Sequence, residues 1–417
     1  MKFFRSEFDT LQKKDSHRFP GLLSRRAQAF NHFTHIGFPT KKWEDWQFTD
    51  FSPFQKIHFQ LGQQKELNPE DSSVSELLEN VYSIVILNGQ YQPKRSKIPA
   101  GILIEPFMDL LEDIQINDQN NPFFLLNTGL ITSGLSIQIP DHFHLDKPIH
   151  TFFMTSGVAS PVMNHFRLGI QLGKNSSVTI IEQYSGIHSH LYWNNCVTLS
   201  DVGENSTLNH YRLQEDTGYH TDTIDYHLKD NAVLNMVQFN KDTELYRGDL
   251  YVQYDGQNAS VQLNGLSLLT SNQHMDTRVM VNHSQPHCQS NQFFKYILDH
   301  KATGVFNGKV VVEKNGQKTD SSQSNRNLLL SPSSSMHSNP QLEIYADDVR
   351  CSHGSSTGQL NEDALYYMRS RGIDIHTSQM LMVEGFAGEV FSHIKDKAIL
   401  NIFQQRLSTW LEELDHG

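Results

Sequence analysis

From about residue 81 the chain is built of short apolar runs that stop at turn residues. YSIVILNGQ and GILIEP are β-branched stretches closed by Asn, Gly or Pro, the pattern of strands. Beyond Gly134 almost nothing carries a helical period until about residue 361. Within that β region a motif recurs: Asn175-Ser-Ser-Val178, Asn205-Ser-Thr-Leu208, Asn231-Ala-Val-Leu234 and Asn258-Ala-Ser-Val261. Each runs Asn, a small residue, a third residue, then an aliphatic that opens a strand, at intervals of 30, 26 and 27 residues. A near-constant period of this size marks a solenoid in which each unit is one coil. With strands of about five residues, one period holds two or three strands and their corners, which suits a parallel β-helix. Asn fits the corner because it tolerates left-handed backbone and bonds its own main chain.

The flanks read as helix. Residues 18–36 place Leu22, Ala29, Phe30, Phe33 and Ile36 at mostly three- and four-residue steps, predicting an amphipathic helix that stops before Gly37 and Pro39. Thr40 is then expected to cap a short helix with Glu44 and Asp45 in its first turn. Trp43 and Trp46, three apart, share a face there and read as core anchors. Residues 61–76 read as a polar linker, and 122–131 as a helix with Pro122 in its first turn. Asn361 caps a predicted helix over 361–371 that Gly372 ends, and from about Ala398 an apolar stripe of Phe403, Leu407, Trp410, Leu411 and Leu414 predicts the last one. Since an uncovered solenoid end is a pairing site for other chains, helices are expected over the ends, or as surfaces for a partner.

Composition narrows the function. With 34 Lys+Arg against 46 Asp+Glu, the 417-residue chain carries −12 and a pI near 6.0, a poor match for nucleic acid or an anionic membrane. Cys196, Cys288 and Cys351 are too few and too scattered for a disulfide framework, and no stretch is long and apolar enough to span a membrane. With no apolar leader in MKFFRSEFDT, the expected location is cytoplasmic. The charged fraction of 19% implies a polar surface drawn from Asn, Gln, Ser, Thr and His.

Residues 318–360 hold the candidate chemistry. Cys351 and His353 stand two apart, so on a strand they present a thiol and an imidazole on one face, the donor set of iron, zinc or copper. A single pair leaves a four-coordinate site incomplete, so further ligands must come from elsewhere in the fold or from another chain; the plain alternative is a structural Cys beside a hydrogen-bonded His. Gly354-Ser355-Ser356-Thr357-Gly358 matches the nucleophile elbow G-x-S-x-G, making a serine hydrolase on Ser356 the rival reading, with Asp374, His376 and His393 as the available partners. Against it, the elbow needs a helix at once after the serine, and alternating strands and helices upstream. RLGIQLGKNS fails as a P-loop: three residues separate Gly169 from Gly173, and Asn175 stands where Ser or Thr belongs. The histidine pairs His142/His144 and His188/His190 read as surface, and Asp347-Asp348, adjacent on a strand, would face opposite ways. The sequons at Asn175, Asn205, Asn258 and Asn282 read as corner chemistry and not as glycosylation sites.

The C-terminal strings KTDSSQSNRNLLLS, PQLEIYADDVRCSHGSSTGQL, YYMRSRGI and GFAGEV resemble the SufB/SufD family of iron–sulfur cluster assembly proteins, and GFPTKKWEDWQFTD is similar to its SufD branch. The resemblance implies a right-handed parallel β-helix core flanked by N-terminal and C-terminal α-helical regions. It implies a complex with the paralogous SufB subunit, paired through β-helix edges, and with the SufC ATPase, docked on the helical part from about residue 361. It further implies a nascent iron–sulfur cluster at the SufB junction, with a cysteine from SufB and a histidine from the SufD subunit; His353 is the matching position and Cys351 the second candidate. Reduced flavin is implied as a reductant of the complex, although the sequence carries no flavin fingerprint. The resulting reading is a non-catalytic scaffold divided into a helical region at 1–80, a mixed strand and helix connection at 81–133, the β-helix at 134–360 and a helical region at 361–417. Whether the isolated chain pairs with a second copy through the same edge is left open by the sequence.

Overall fold

The computed structural model describes residues 2–15, 20–62, 78–106, 120–156, 161–187 and 191–415. Its helices are α1 (Lys2–Asp15), α2 (Pro20–Ile36), α3 (Pro122–Leu130), α4 (Glu362–Ser370), α5 (Ile375–Phe391) and α6 (Lys397–Asp415). The first strands are β1 (Gln60–Leu61), β2 (Tyr82–Leu87), β3 (Gln90–Tyr91), β4 (Leu103–Pro106), β5 (Ser133–Ile139), β6 (Ile149–Ser156), β7 (Val162–Leu172) and β8 (Ser177–Ile187). They continue as β9 (Tyr192–Val202), β10 (Thr207–Glu215), β11 (Tyr219–Leu228), β12 (Val233–Asn240), β13 (Leu245–Tyr254) and β14 (Ser260–Leu269). The last coils are β15 (His274–His283), β16 (Gln289–Leu298), β17 (Thr303–Val312), β18 (Asp320–Leu329), β19 (Ser335–Ile344) and β20 (Arg350–Gly358). Odd strands from β5 to β19 form one parallel sheet and even strands from β6 to β20 another, so each pair of strands is one coil of a parallel β-solenoid.

Alternation decides which sheet face goes inward. Val178, Ile180, Leu208, Leu234, Met236, Val261 and Leu263 fill the interior, while Ile181, Leu213, Val237, Phe239, Leu266 and Ile297 face out of the even sheet. The corners are one stacked column. His142, Asn175, Asn205, Asn231, Asn258, His287 and Lys318 all have φ between 47° and 66°, and each donates its backbone N–H to a carbonyl of the following coil. Four of these are the predicted Asn; His142, His287 and Lys318 extend the same column with residues that carry no corner signal.

Helices cover the outer faces of the sheets. α1, α2 and α3 pack Phe4, Phe8, Phe30, Phe33 and Phe123 with Trp46 and Phe54 against Met163 and Trp193 of the odd sheet. α5 and α6 lay Val383, Val390, Phe391, Phe403, Leu407 and Trp410 over the outward residues of the even sheet. The expected capping of both ends by helices is therefore corrected. The starting end is closed by the β3–β4 segment, whose Tyr91, Ile102 and Ile104 pack on the interior core, with β3 pairing antiparallel to β2 and β4 antiparallel to β5. The far end, β19 and β20, has no strand beyond it among the described residues. A second correction concerns Thr40. Only a single 3₁₀ turn, Glu44–Trp46, forms there, its N-cap is Trp43, and Trp43 N–H donates to the Thr40 carbonyl. Trp46 is buried and Trp43 packs beside it, as core anchors should. Most of the predicted linker, 63–76, lies outside the described residues.

Candidate functional site

The interior changes character toward the open end. In β14 the inward row is Val261, Leu263, Gly265 and Ser267; in β16, Ser290, Gln292, Phe294 and Tyr296; in β18, Ser321, Gln323, Asn325 and Asn327. β20 adds Cys351, His353, Ser355 and Thr357 in register above them. Gln292, Gln323, Asn325 and Asn327 are all buried, so this polar floor is not a solvated surface. Burial of amides is tolerable only with partners. Gln323 Nε2 donates to Gln292 Oε1 at 3.0 Å, Asn325 Nδ2 to the Phe294 carbonyl at 3.2 Å, and Asn327 Nδ2 to Thr357 Oγ1 at 3.2 Å. Ser290 Oγ bridges His283 Nε2 and Ser321 Oγ, both at 2.8 Å. Ser355 Oγ donates to Ser338 Oγ at 2.8 Å, tying the two sheets together beside His353.

Cys351 and His353 sit as their spacing predicted, on one strand and one face. His353 is exposed and Cys351 half-buried, its sulfur against the interior core. Burial pushes the Cys351 thiol above its ordinary range and Asp320 adds to the rise, so little thiolate is present at neutral pH. Among the described residues no three or more His, Cys, Asp and Glu side chains gather to hold a metal ion. This chain by itself thus offers an imidazole and a poorly ionised thiol, two donors of the four a cluster iron takes.

The strand edges around these two donors are open. Arg350 N–H donates to Thr319 O at 2.8 Å, so by the two-residue alternation of a parallel ladder Cys351, His353, Ser355 and Thr357 point their N–H groups away from β18. On β19, Ser335 donates to Ala302 O at 3.0 Å, which leaves Met336, Ser338, Leu342 and Ile344 outward; Pro340 in that row has no N–H to offer.

The other sequence candidates fare differently. Ser356 lies inside the extended strand β20, not on a strand-to-helix turn, and nothing supports the serine hydrolase reading. Asp347 and Asp348 lie in the turn between β19 and β20, where Asp348 pairs with Lys318, so the expected strand placement is corrected. Gly169 is within β7 and Gly173 precedes the Asn175 corner, a geometry with no phosphate cradle. His142 is a corner residue, His144 is exposed, and His188 and His190 lie outside the described residues. Polar residues were expected at the surface; instead His150, His165, His210, His220 and His283 are fully buried. Gln323, Asn325, Asn327 and Ser338 were not singled out, although DSSQSNRN, 320–327, signals a strand with no apolar face.

α4 and α5 form a second exposed surface. Asn361 caps α4 by accepting from Ala364 N–H at 3.0 Å, and the helix buries no residue, showing Tyr366 and Tyr367 to solvent. On α5 Leu381 is exposed, and Gly385 and Gly388 face open space.

Comparison with known proteins agrees with the architecture. Residues 153–386 match the SufBD core domain of the SUF system for FeS cluster assembly, and residues 1–151 the SufBD protein N-terminal region. An iron–sulfur cluster assembly SufBD family protein of Synechocystis is 31% identical over 89% of this chain and 87% of its own. The iron–sulfur cluster assembly protein SufD of Escherichia coli is 28% identical over 90% of each chain. No described helix is long and apolar enough to cross a membrane.

Proposed function

The chain belongs to the SufBD family of iron–sulfur cluster assembly proteins, and on that premise we propose that it is a non-catalytic scaffold subunit of a SufB–SufC–SufD complex in a reducing, cytoplasmic setting. The open end of the solenoid carries the proposal. Two nine- to ten-residue strands present unpaired N–H groups at one edge, which in a stable chain is a liability unless another chain covers it. A paralogous SufB subunit adding strands to β19 and β20 satisfies those groups and brings a second set of donors to His353. The isolated chain dimerises through the same edges.

His353 supplies a neutral imidazole nitrogen to the nascent cluster, which is cargo shared across the junction. Cys351 is the second ligand; its half-buried, poorly ionised thiol ranks it behind His353. ATP hydrolysis belongs to SufC, which docks on α4 and α5: the exposed Tyr366, Tyr367 and Leu381 offer anchors, and Gly385 and Gly388 allow close backbone approach. Co-expression of the complex with His353→Ala, followed by iron and sulfide content, tests the site. A large loss of cluster is expected, and wild-type loading would remove His353 from the mechanism.

A further inference from the structure

His353 is held in one strand-register step from a buried amide that has a free acceptor. Gln323 pairs with His353 across β18 and β20, and Gln292 pairs with Gln323 across β16 and β18, so the three side chains form one inward column. Gln323 donates its Nε2–H to Gln292 Oε1 at 3.0 Å, while its own Oε1 is buried without a partner. Nitrogen and oxygen of one amide point apart, so with Nε2 turned toward Gln292 the unpartnered oxygen is left for the His353 side. Gly308, in the opposite sheet, is what lets the amide lie there, because a Cβ at that position would run into Gln323 Nε2. Gln292 Nε2, at the other end of the pair, is a buried donor likewise without a partner, so the column ends in a free donor away from Gln323 and a free acceptor on the His353 side.

We infer that Gln323 is a positioning residue for His353: its Oε1 accepts the Nδ1–H of the imidazole, holding the tautomer whose Nε2 lone pair faces out of the open end. Neighbouring strands lie about 4.8 Å apart, a span that a rotamer change of an exposed imidazole closes. A hydrogen bond at one ring nitrogen sets which nitrogen is free to bind metal. The inference rests on the ligand role proposed for His353, and extends it to the residue behind it.

The test reads the ring, not the cluster. The full-length chain with ¹⁵N-histidine is studied above pH 8, with the His353 signals assigned by their loss in His353→Asn. Wild type should show the Nδ1–H tautomer in excess, against the Nε2–H preference of a free imidazole. Gln323→Leu should lose that bias, and so should Gly308→Ala, which displaces the amide without removing it and covers the case in which the leucine variant fails to fold. A free-imidazole pattern in the wild type, or a bias that survives both changes, overturns the inference. Cluster content of the Gln323→Leu complex is measured separately. If the tautomer result holds while His353→Ala loads normally, the positioning stands and the ligand role falls.

Discussion

Replacing His220 by glutamine should flatten the alkaline limb of the stability–pH curve. His220 is fully buried inside the solenoid, with Nδ1 3.1 Å from Asp216 Oδ2 and Nε2 3.8 Å from Asp222 Oδ2. The same interior holds Glu182 and Arg212, the guanidinium meeting Glu182 at 3.1 Å and Asp222 at 2.5 Å. Arg212 thus meets two buried carboxylates, His210 Nε2 also reaches Glu182 at 3.0 Å, and a protonated His220 places positive charge beside Asp216 and Asp222. Burial alone would push the imidazole down; the Asp216 and Asp222 carboxylates outweigh it and lift it to about 9. Tyr184 and Tyr246 pack on the ring and Cys196 lies nearby, and burial pushes all three upward, so they stay neutral in this range. Because the folded value is raised above the unfolded 6.5, the stabilisation is complete below pH 6.5 and is lost as pH rises through about 9. At about 1.4 kcal/mol per pH unit that lift is about 3 kcal/mol. Urea unfolding from pH 6.5 to 9.5 should show the decline in wild type and a much shallower one in His220→Gln. The residual slope comes from His227, which hydrogen bonds to Asp225 and Asp255 lift to about 10. Equal slopes in the two proteins, or a ring that titrates near 6.5 by NMR, would refute the reasoning.

Further expectations follow the same physics. On the acid side, burial lowers His150 to about 4 and His165 and His283 to about 3, so their contribution is present above pH 6.5 and lost as pH falls toward 4; His165→Gln should soften that limb in thermal melts. Asn231→Val puts a β-branched residue at φ 57°, and a loss of about 1–2 kcal/mol should appear as a lower urea midpoint at unchanged m. Ser355→Pro removes an outward N–H and leaves the ladder to β18 intact; it should abolish capture of the paralogous subunit at little cost to melting temperature, whereas Ser352→Pro, whose N–H faces β18, should lower the melting temperature. Tyr366→Ser with Tyr367→Ser should change stability by less than about 0.5 kcal/mol and weaken pull-down of the ATPase subunit at least tenfold.

How far the fold was legible depended on whether a residue's preference and its place agreed. Asn175, Asn205, Asn231 and Asn258 announced the corner because Asn favours the conformation the corner needs. Lys318 and His287 hold the same conformation only because the coils on either side supply carbonyls and room. α6 showed its apolar stripe, while α5, apolar nearly all round and interrupted by Gly385 and Gly388, offered no helical face to read. Cys351 and His353 were found by spacing, since two residues apart on a strand means one face. The amide floor under them was not, because a run such as SSQSNRN reads equally as a loop until strands close over it.

The sequence by itself determined the period, the corners, the β character of the middle, the helical character of the flanks and the facing of Cys351 with His353. These are local properties, set by backbone preference and by a two-residue alternation that any strand obeys. Only the tertiary structure decided that Glu182, Arg212, Asp222 and His220 go inside, since a buried charge is stable solely beside the opposite charges that the coils bring to it. It also decided that the helices cover the sheet faces and leave the edges of β19 and β20 open, because the outer faces carry apolar side chains, such as Phe239, Leu266 and Trp193, that the helices remove from water. The open edge that results is where the candidate ligand stands.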